Sequence, residues 1–459
     1  MLGSAASIIC AASLSSTLTE SQNLGLYIDR KPTANEASKN YTSAKYEPRF
    51  GCYLGAFIDL DSSNESTYLD RVGKTRRLPN PFETATGKTH ATYFYYMGYG
   101  SRLAYDWISK LGNEGKIVHI ALEPNNGLEY VRDDNYLREL AEGLAATNVP
   151  IFIRFASEMN GPWVKYHGNP KLYKEKFRLV SQTMKKYAPN VAMVWCPYTT
   201  PSSQIKPYYP GDDVVDWVGV NMYSVTYFDQ DPKKPAKQIH PVEMLDYVYE
   251  TYSAKKPIMI GEYGATHWSA LEQKSTRGFA QKTIQALYTA LPRKYPRVKC
   301  INYFNGNNLE LDHRKNNNYA VTQDAPTLKT YKSVIEDPFY LSYVADANGF
   351  PQSNPYAVPV SGNAPTGLDL LPIMPLPAQN KQVVSGPVMF SGWYKDHSGN
   401  TSLRFKIDGA TFHVGETKDN WKVEVDTTRV KNGPHTIDLL AQRDGKTIAS
   451  KSIQIIVQN

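Results

Sequence analysis

The stretch RFASEMNGPW, residues 154–163, closes the apolar run PIFIRFA (150–156) with a serine, a glutamate, an asparagine, a glycine and a tryptophan. A run that is apolar at nearly every position reads as a strand buried on both faces, the kind found in parallel sheets covered by helices. Similar runs recur on either side: YLGAFI (53–58), ATYFYYM (91–97), IVHIAL (117–122), VAMVWC (191–196), VDWVGVNMY (215–223), PIMIGEY (257–263) and CINYF (300–304). Stretches such as NYLRELAEGLAAT and KLYKEKFRLVSQTMKKY fall between most of them and repeat apolar residues near a 3.6 period. Eight strands over roughly 250 residues predict an α/β fold, a (β/α)8 barrel. The alternative is an open doubly wound sheet, but no GxGxxG follows the first strand. The fifth and sixth strands are joined by YTTPSSQIKPYYPGDD, which promises little helix.

The barrel is expected over residues 48–340. Residues 1–47 read as a signal-like segment, with small and apolar residues in MLGSAASIICAASLSS, followed by a flexible polar leader. No Lys or Arg precedes Arg30, so the charged start of a secretory signal is missing. A secreted or cell-surface protein is nevertheless the expectation. Residues 341–380 are rich in Pro, Asn and Ser and read as a linker. From 381 to 459, short runs divided by Gly, Asn and Asp turns (LRFKIDG, WKVEVDT, HTIDLLAQR, KSIQIIVQ) predict a small all-β, Ig-like sandwich. Its tryptophans, Trp393 and Trp421, suit either a core or a ligand platform.

The net charge of +7 is spread among acidic residues with no long basic run, which argues against a nucleic-acid partner. The N-terminal apolar stretch is short, and no other segment approaches the ~18 apolar residues of a membrane span. Cys52, Cys196 and Cys300 sit in or beside strand-like runs and read as buried thiols. The dispersed histidines and the absence of HExxH or CxxC spacings leave a metal or other cofactor without support. The 33 tyrosines offer flat apolar faces with polar tips, which suit a wet carbohydrate cleft as well as an ordinary surface. A monomer is expected.

In a barrel, chemistry gathers at the C-terminal ends of the strands. Two glutamates stand there, Glu158 after the fourth strand and Glu262 in the seventh, on opposite sides of a narrow mouth. Facing carboxylates suit glycoside hydrolysis by double displacement: one attacks the anomeric carbon, the other protonates the leaving oxygen and then activates water. A strand-end cap or an ion pair is the plain structural alternative for each. Alternation places Arg154 on the face of Ala156 and Glu158, where a cation inside the barrel needs an anion such as Glu262.

Together RFASEMNGPW, YYPGDDVVDWVGVNMY and PIMIGEYGA resemble glycoside hydrolase family 26, retaining (β/α)8 enzymes that are chiefly endo-β-1,4-mannanases. The resemblance covers roughly residues 48–340. It implies Glu158 as general acid/base, Glu262 as nucleophile, Tyr223 as a phenol bonded near the nucleophile, and a β-linked polysaccharide as substrate. It extends to Arg154, Ser157, Asn160, Trp163 and Glu123 as substrate-binding positions around the cleft, with Trp268 and Tyr303 as further contacts and Tyr166 and His167 as looser ones. Two departures bear on the substrate. The family usually has histidine where Ser157 stands, and strand eight offers Tyr303 and Phe304 instead of a tryptophan. Both put the identity of the glycan in question: a retaining, endo-acting β-1,4-mannanase or related enzyme is the first expectation, and a hydrolase of another β-glycan or a bacterial exopolysaccharide, or a non-catalytic glycan-binding surface protein, is the alternative.

Overall fold

The computed structural model describes residues 23–311, 316–346, 349, 371–397, 400–416 and 422–459. They form two compact units, Asp29–Leu376 and, separately, Leu24–Ile28 with Pro377–Asn459.

The larger unit is a closed parallel barrel. Its strands are β1 (Cys52–Phe57), β2 (Thr92–Gly98), β3 (Ile117–Glu123), β4 (Ile151–Phe155), β5 (Val191–Trp195), β6 (Trp217–Ser224), β7 (Ile258–Ala265) and β8 (Val298–Phe304). Each pairs in parallel with the next, and β8 closes on β1 from Cys300↔Tyr53 to Phe304↔Phe57. Helices α1 (Pro79–Thr86), α2 (Tyr105–Asn113), α3 (Asn135–Ala146), α4 (Pro170–Tyr187), α5 (Glu243–Tyr252), α6 (Arg277–Lys294) and α7 (Ala325–Ile335) cover the outside. Between β5 and β6 the chain makes only 3-10 turns, Ser202–Gln204 and Lys206–Tyr208, where the Pro-rich loop left no helical pattern. Helix starts follow local chemistry: Asp134 accepts from Leu137 N–H at 3.1 Å, and Asn169, ahead of Pro170, accepts from Leu172 N–H at 3.0 Å.

Burial of both faces explains the apolar strands: β1, β3, β4, β7 and β8 are buried at every position. Phe152, Trp217, Met259 and Cys300 belong to one apolar cluster. At the other end Phe57 stacks on Phe94 at 5.0 Å and on Phe304 at 4.8 Å, so the mouth has an aromatic wall. No helix among the described residues is long and apolar enough to cross a membrane. Cys52, Cys196 and Cys300 are buried free thiols.

The smaller unit is a β-sandwich. In one sheet Pro387–Tyr394 lies between Leu24–Arg30 and Lys422–Asp426; the other runs Gln382–Val384, Lys446–Val457, Gly433–Arg443, Ser402–Ile407 and Ala410–Glu416. Leu24, Leu26 and Ile28 share its core with Phe390, Leu403, Phe405 and Leu439. The segment expected as flexible leader therefore holds a strand, and further on a helix, Ala34–Lys39, with Thr33 and Glu36 forming its capping box. Trp393 is buried. Trp421, the signal-like start and most of the expected linker lie outside the described residues.

Candidate active site

β4 stops at Phe155, and the chain then turns through two left-handed residues, Ala156 (φ 48°) and Glu158 (φ 60°). Strand alternation ends there, so the turn rather than the pleat carries Glu158 to the mouth. The turn is pinned by the Glu158 N–H, which donates to the Cys196 carbonyl at 2.9 Å.

Glu262 lies inside β7, opposite Asn221 of β6 in register, with an irregularity between Ile260 and Glu262. Tyr96 donates to its Oε1 at 2.7 Å and Tyr223 to its Oε2 at 2.5 Å. Arg154 Nη2 also donates to Oε1, and the guanidinium is fully buried. Burial, the largest influence, works against the arginine's charge, but Glu262 together with Cys196, Tyr96 and Glu123 outweighs it and the net shift is upward. The ion pair expected of Arg154 is thus formed with Glu262.

Glu158 has different surroundings. Its Oε1 accepts from Asn221 Nδ2 at 2.8 Å and its Oε2 from Trp163 Nε1 at 2.6 Å. Burial and, after it, the Glu262 charge push its carboxyl up to about 7, against the pull of Asn221, Trp163 and Arg154. The side chain keeps a partly open edge on the cleft. One glutamate is therefore biased to hold its proton near neutrality, while the other receives two phenols and a cation. That division suits acid and nucleophile roles at one pH.

Asn221 ties the two together. Its Oδ1 accepts from Arg154 Nη1 at 2.8 Å and from Cys196 Sγ at 3.2 Å, while its amide nitrogen faces Glu158. Gly261 makes room for this link. A Cβ there would lie 2.6 Å from Asn221 Oδ1 and 2.9 Å from both Arg154 Nη1 and Cys196 Sγ.

The other expected positions divide. Trp163 stands half-exposed beside Glu158, with Tyr198 edge-on at 5.1 Å and Gly161 beneath its ring. Ser157 and Tyr166 donate their hydroxyls to the buried Glu123, and the Tyr166 oxygen also lies 2.7 Å from the Ser157 carbonyl, which shares its one proton. Burial raises the Glu123 carboxyl, against Arg154 and the two hydroxyls. These three clamp the loop beneath Glu158. Asn160 is turned away from the cleft: it is buried, donates to the Tyr198 carbonyl at 2.9 Å and accepts from its N–H at 2.8 Å. Tyr303 is also turned away, because alternation along β8 points it outward. It is fully buried, donates to the Tyr319 carbonyl at 2.9 Å and packs on Tyr331. Its neighbour Phe304 faces the mouth, behind Tyr223 at 5.7 Å. Trp268 is exposed on a short strand after β7, paired with Lys274–Ser275 and Asn317–Asn318. His167 bonds the Met159 carbonyl.

The residues missed from sequence are Asn221 and Tyr96. Each had a signal. Asn221 is a polar residue in an apolar strand, two positions before Tyr223 and so on the same face. Tyr96 shares a face with Phe94 at the end of β2.

Residues 107–277, which include both glutamates, match the family model "Glycosyl hydrolase family 26". Among curated proteins, a β-1,3-xylanase TXYA of Vibrio sp. is 35% identical over 117 residues, 24% of this chain and 23% of its own length. A β-1,3-xylanase of Alcaligenes sp. is 31% identical over 115 residues, 23% of this chain and 24% of its own length. This chain thus spans about a quarter of the length of the relatives it matches. Similar solved structures are the catalytic domain of a Bacillus sp. JAMB-750 endo-β-1,4-mannanase (TM-score 0.49, 15% identity, 68% of this chain and 92% of that one) and a Cellulomonas fimi endo-β-1,4-mannanase double mutant (TM-score 0.45, 15% identity, 93% and 98%). The segment similar to the glycosyl hydrolase family 26 model thus bears both Glu158, after β4, and Glu262, in β7, with β5 and β6 between them at the barrel mouth.

Proposed function

We propose that the protein is a retaining, endo-acting β-glycanase. Glu262 attacks the anomeric carbon as Glu158 gives its proton to the leaving glycosidic oxygen; Glu158 then takes a proton from water as water displaces Glu262. The observation that carries this reading is the unequal pair, Glu158 held up to about 7 and Glu262 receiving three donors. Trp163 is the sugar platform nearest the acid.

The substrate proposed first is β-1,3-xylan, supported by what the two sequence relatives are called. β-1,4-Mannan is second, and Ser157 favours testing an exopolysaccharide beside them. The protein is proposed to be secreted and monomeric, with the sandwich as an Ig-like spacer or glycan-binding module. Reducing-sugar release from β-1,3-xylan, β-1,4-mannan, mixed-linkage glucan and exopolysaccharide identifies the substrate. Proton NMR of the first product should show the β-anomer. Glu158→Ala and Glu262→Ala should each abolish turnover, with azide rescuing the latter; near wild-type turnover in either variant defeats the assignment.

A further inference from the structure

We propose that Asn221 is a positioning residue for the acid/base, acting as a neutral amide whose orientation is dictated by Arg154; the proposal rests on Glu158 being that acid/base. An amide can be set two ways round. Arg154 Nη1, at 2.8 Å from its oxygen, can only donate, so the oxygen must face it, and the Cys196 thiol lies on the same side at 3.2 Å. The NH2 must then face Glu158 Oε1, where it donates at 2.8 Å. The reversed amide would set its NH2 against a guanidinium N–H and its oxygen against a carboxyl oxygen. Arg154 is itself fixed by Glu262 through its other nitrogen. The result is one unbroken link, Glu262 to Arg154 to Asn221 to Glu158, that aims the acid from the nucleophile's own anchor.

The amide matters because of its charge as well as its shape. Aspartate is nearly isosteric and would still accept from Arg154, yet it would place a second anion against Glu158 and remove the donor. The other groups facing Glu158 are Glu262, Arg154, Cys196, Tyr96, Tyr166, Tyr198 and Tyr223. Burial raises the thiol and the four phenols, so they keep their protons across the range in which Glu158 titrates.

The test compares Asn221→Asp and Asn221→Ala with wild type on the glycan that wild type cleaves, recording kcat/KM against pH, kcat and KM separately, and melting temperature. The carboxyl infrared band of Glu158, identified by subtraction of Glu158→Gln, is titrated without substrate. Asn221→Asp should move the alkaline limb and the infrared titration up by about one pH unit. It should lower kcat about tenfold or more with KM within about twofold. Asn221→Ala should move both in the same direction by less, and it stands in if the aspartate variant does not fold. An unmoved limb and unmoved infrared titration in a folded variant overturn the proposal and leave Asn221 a packing residue. If wild type cleaves none of the glycans, the function reading fails while the infrared titration still decides whether Asn221 tunes Glu158.

Discussion

Glu158 sits at φ 60°, two residues after Ala156 at φ 48°, and neither is a glycine. Left-handed backbone is uncommon for such residues and persists where surrounding contacts hold it, often at functional turns. The carboxyl at this turn has a measurable pH signature. Its native value of about 7 lies above the ordinary 4.5. The acid is therefore in its working form below about pH 7, and kcat/KM should fall as pH rises through that value, as a pH–rate profile will show. The same shift sets a sign for stability. A raised carboxyl stabilises the fold fully below pH 4.5 and loses that contribution as pH climbs to about 7. Glu158→Gln removes the charged form, so its melting temperature should match wild type near pH 4 and exceed it near pH 8. The gain is at most about 3 kcal/mol. A constant difference across that range would show that the carboxyl is not raised.

At the scale of the element, β8 shows what a one-residue choice means in a pleated strand. The run CINYF offered Tyr303 and Phe304 for the mouth, and only one of them can face it. Tyr303 points outward among Tyr263, Tyr288 and Tyr331, whereas Phe304 packs on Phe57 and Tyr223. Tyr303→Phe should cost about 1 kcal/mol in denaturant titration and leave kcat within about twofold. Phe304→Ala should cost about 3 kcal/mol and lower kcat as well, because Tyr223 loses its backing against Glu262. Gly261→Ala tests β7 in the same way. Its added methyl meets Asn221, Arg154 and Cys196 at once, so a loss of about 1–3 kcal/mol with impaired turnover is expected. Strand existence was legible from apolar runs, but facing was not. An outward side chain is buried under helices and an inward one under other strands, so both look equally apolar in sequence.

At the scale of the whole molecule, the sandwich is discontinuous along the chain. Leu24–Ile28 pairs antiparallel with Pro387–Tyr394, and Leu24, Leu26 and Ile28 fill the core between the two sheets. Each such side chain stabilises by about 1.5–3 kcal/mol on burial. Residues 377–459 alone should therefore fail to fold, and a peptide of residues 22–31 should restore their β circular dichroism. In the full chain, Leu26→Asp should abolish the sandwich's calorimetric transition while that of the barrel survives. A folded 377–459 fragment would show that the strand is dispensable.

The sequence by itself determined the barrel, its eight strands and the two glutamates, because burial on both faces writes apolar runs and a carboxylate at the end of such a run stands out. It also determined that Arg154 needed an anion. Only the tertiary structure decided which neighbours complete the site. Tyr96, Asn221 and Glu262 lie on three different strands, and their meeting depends on barrel closure and on register. The same holds for Leu24–Ile28. Its alternation is readable, but its partner lies more than three hundred residues further along the chain, and local pattern carries no record of pairing at that distance.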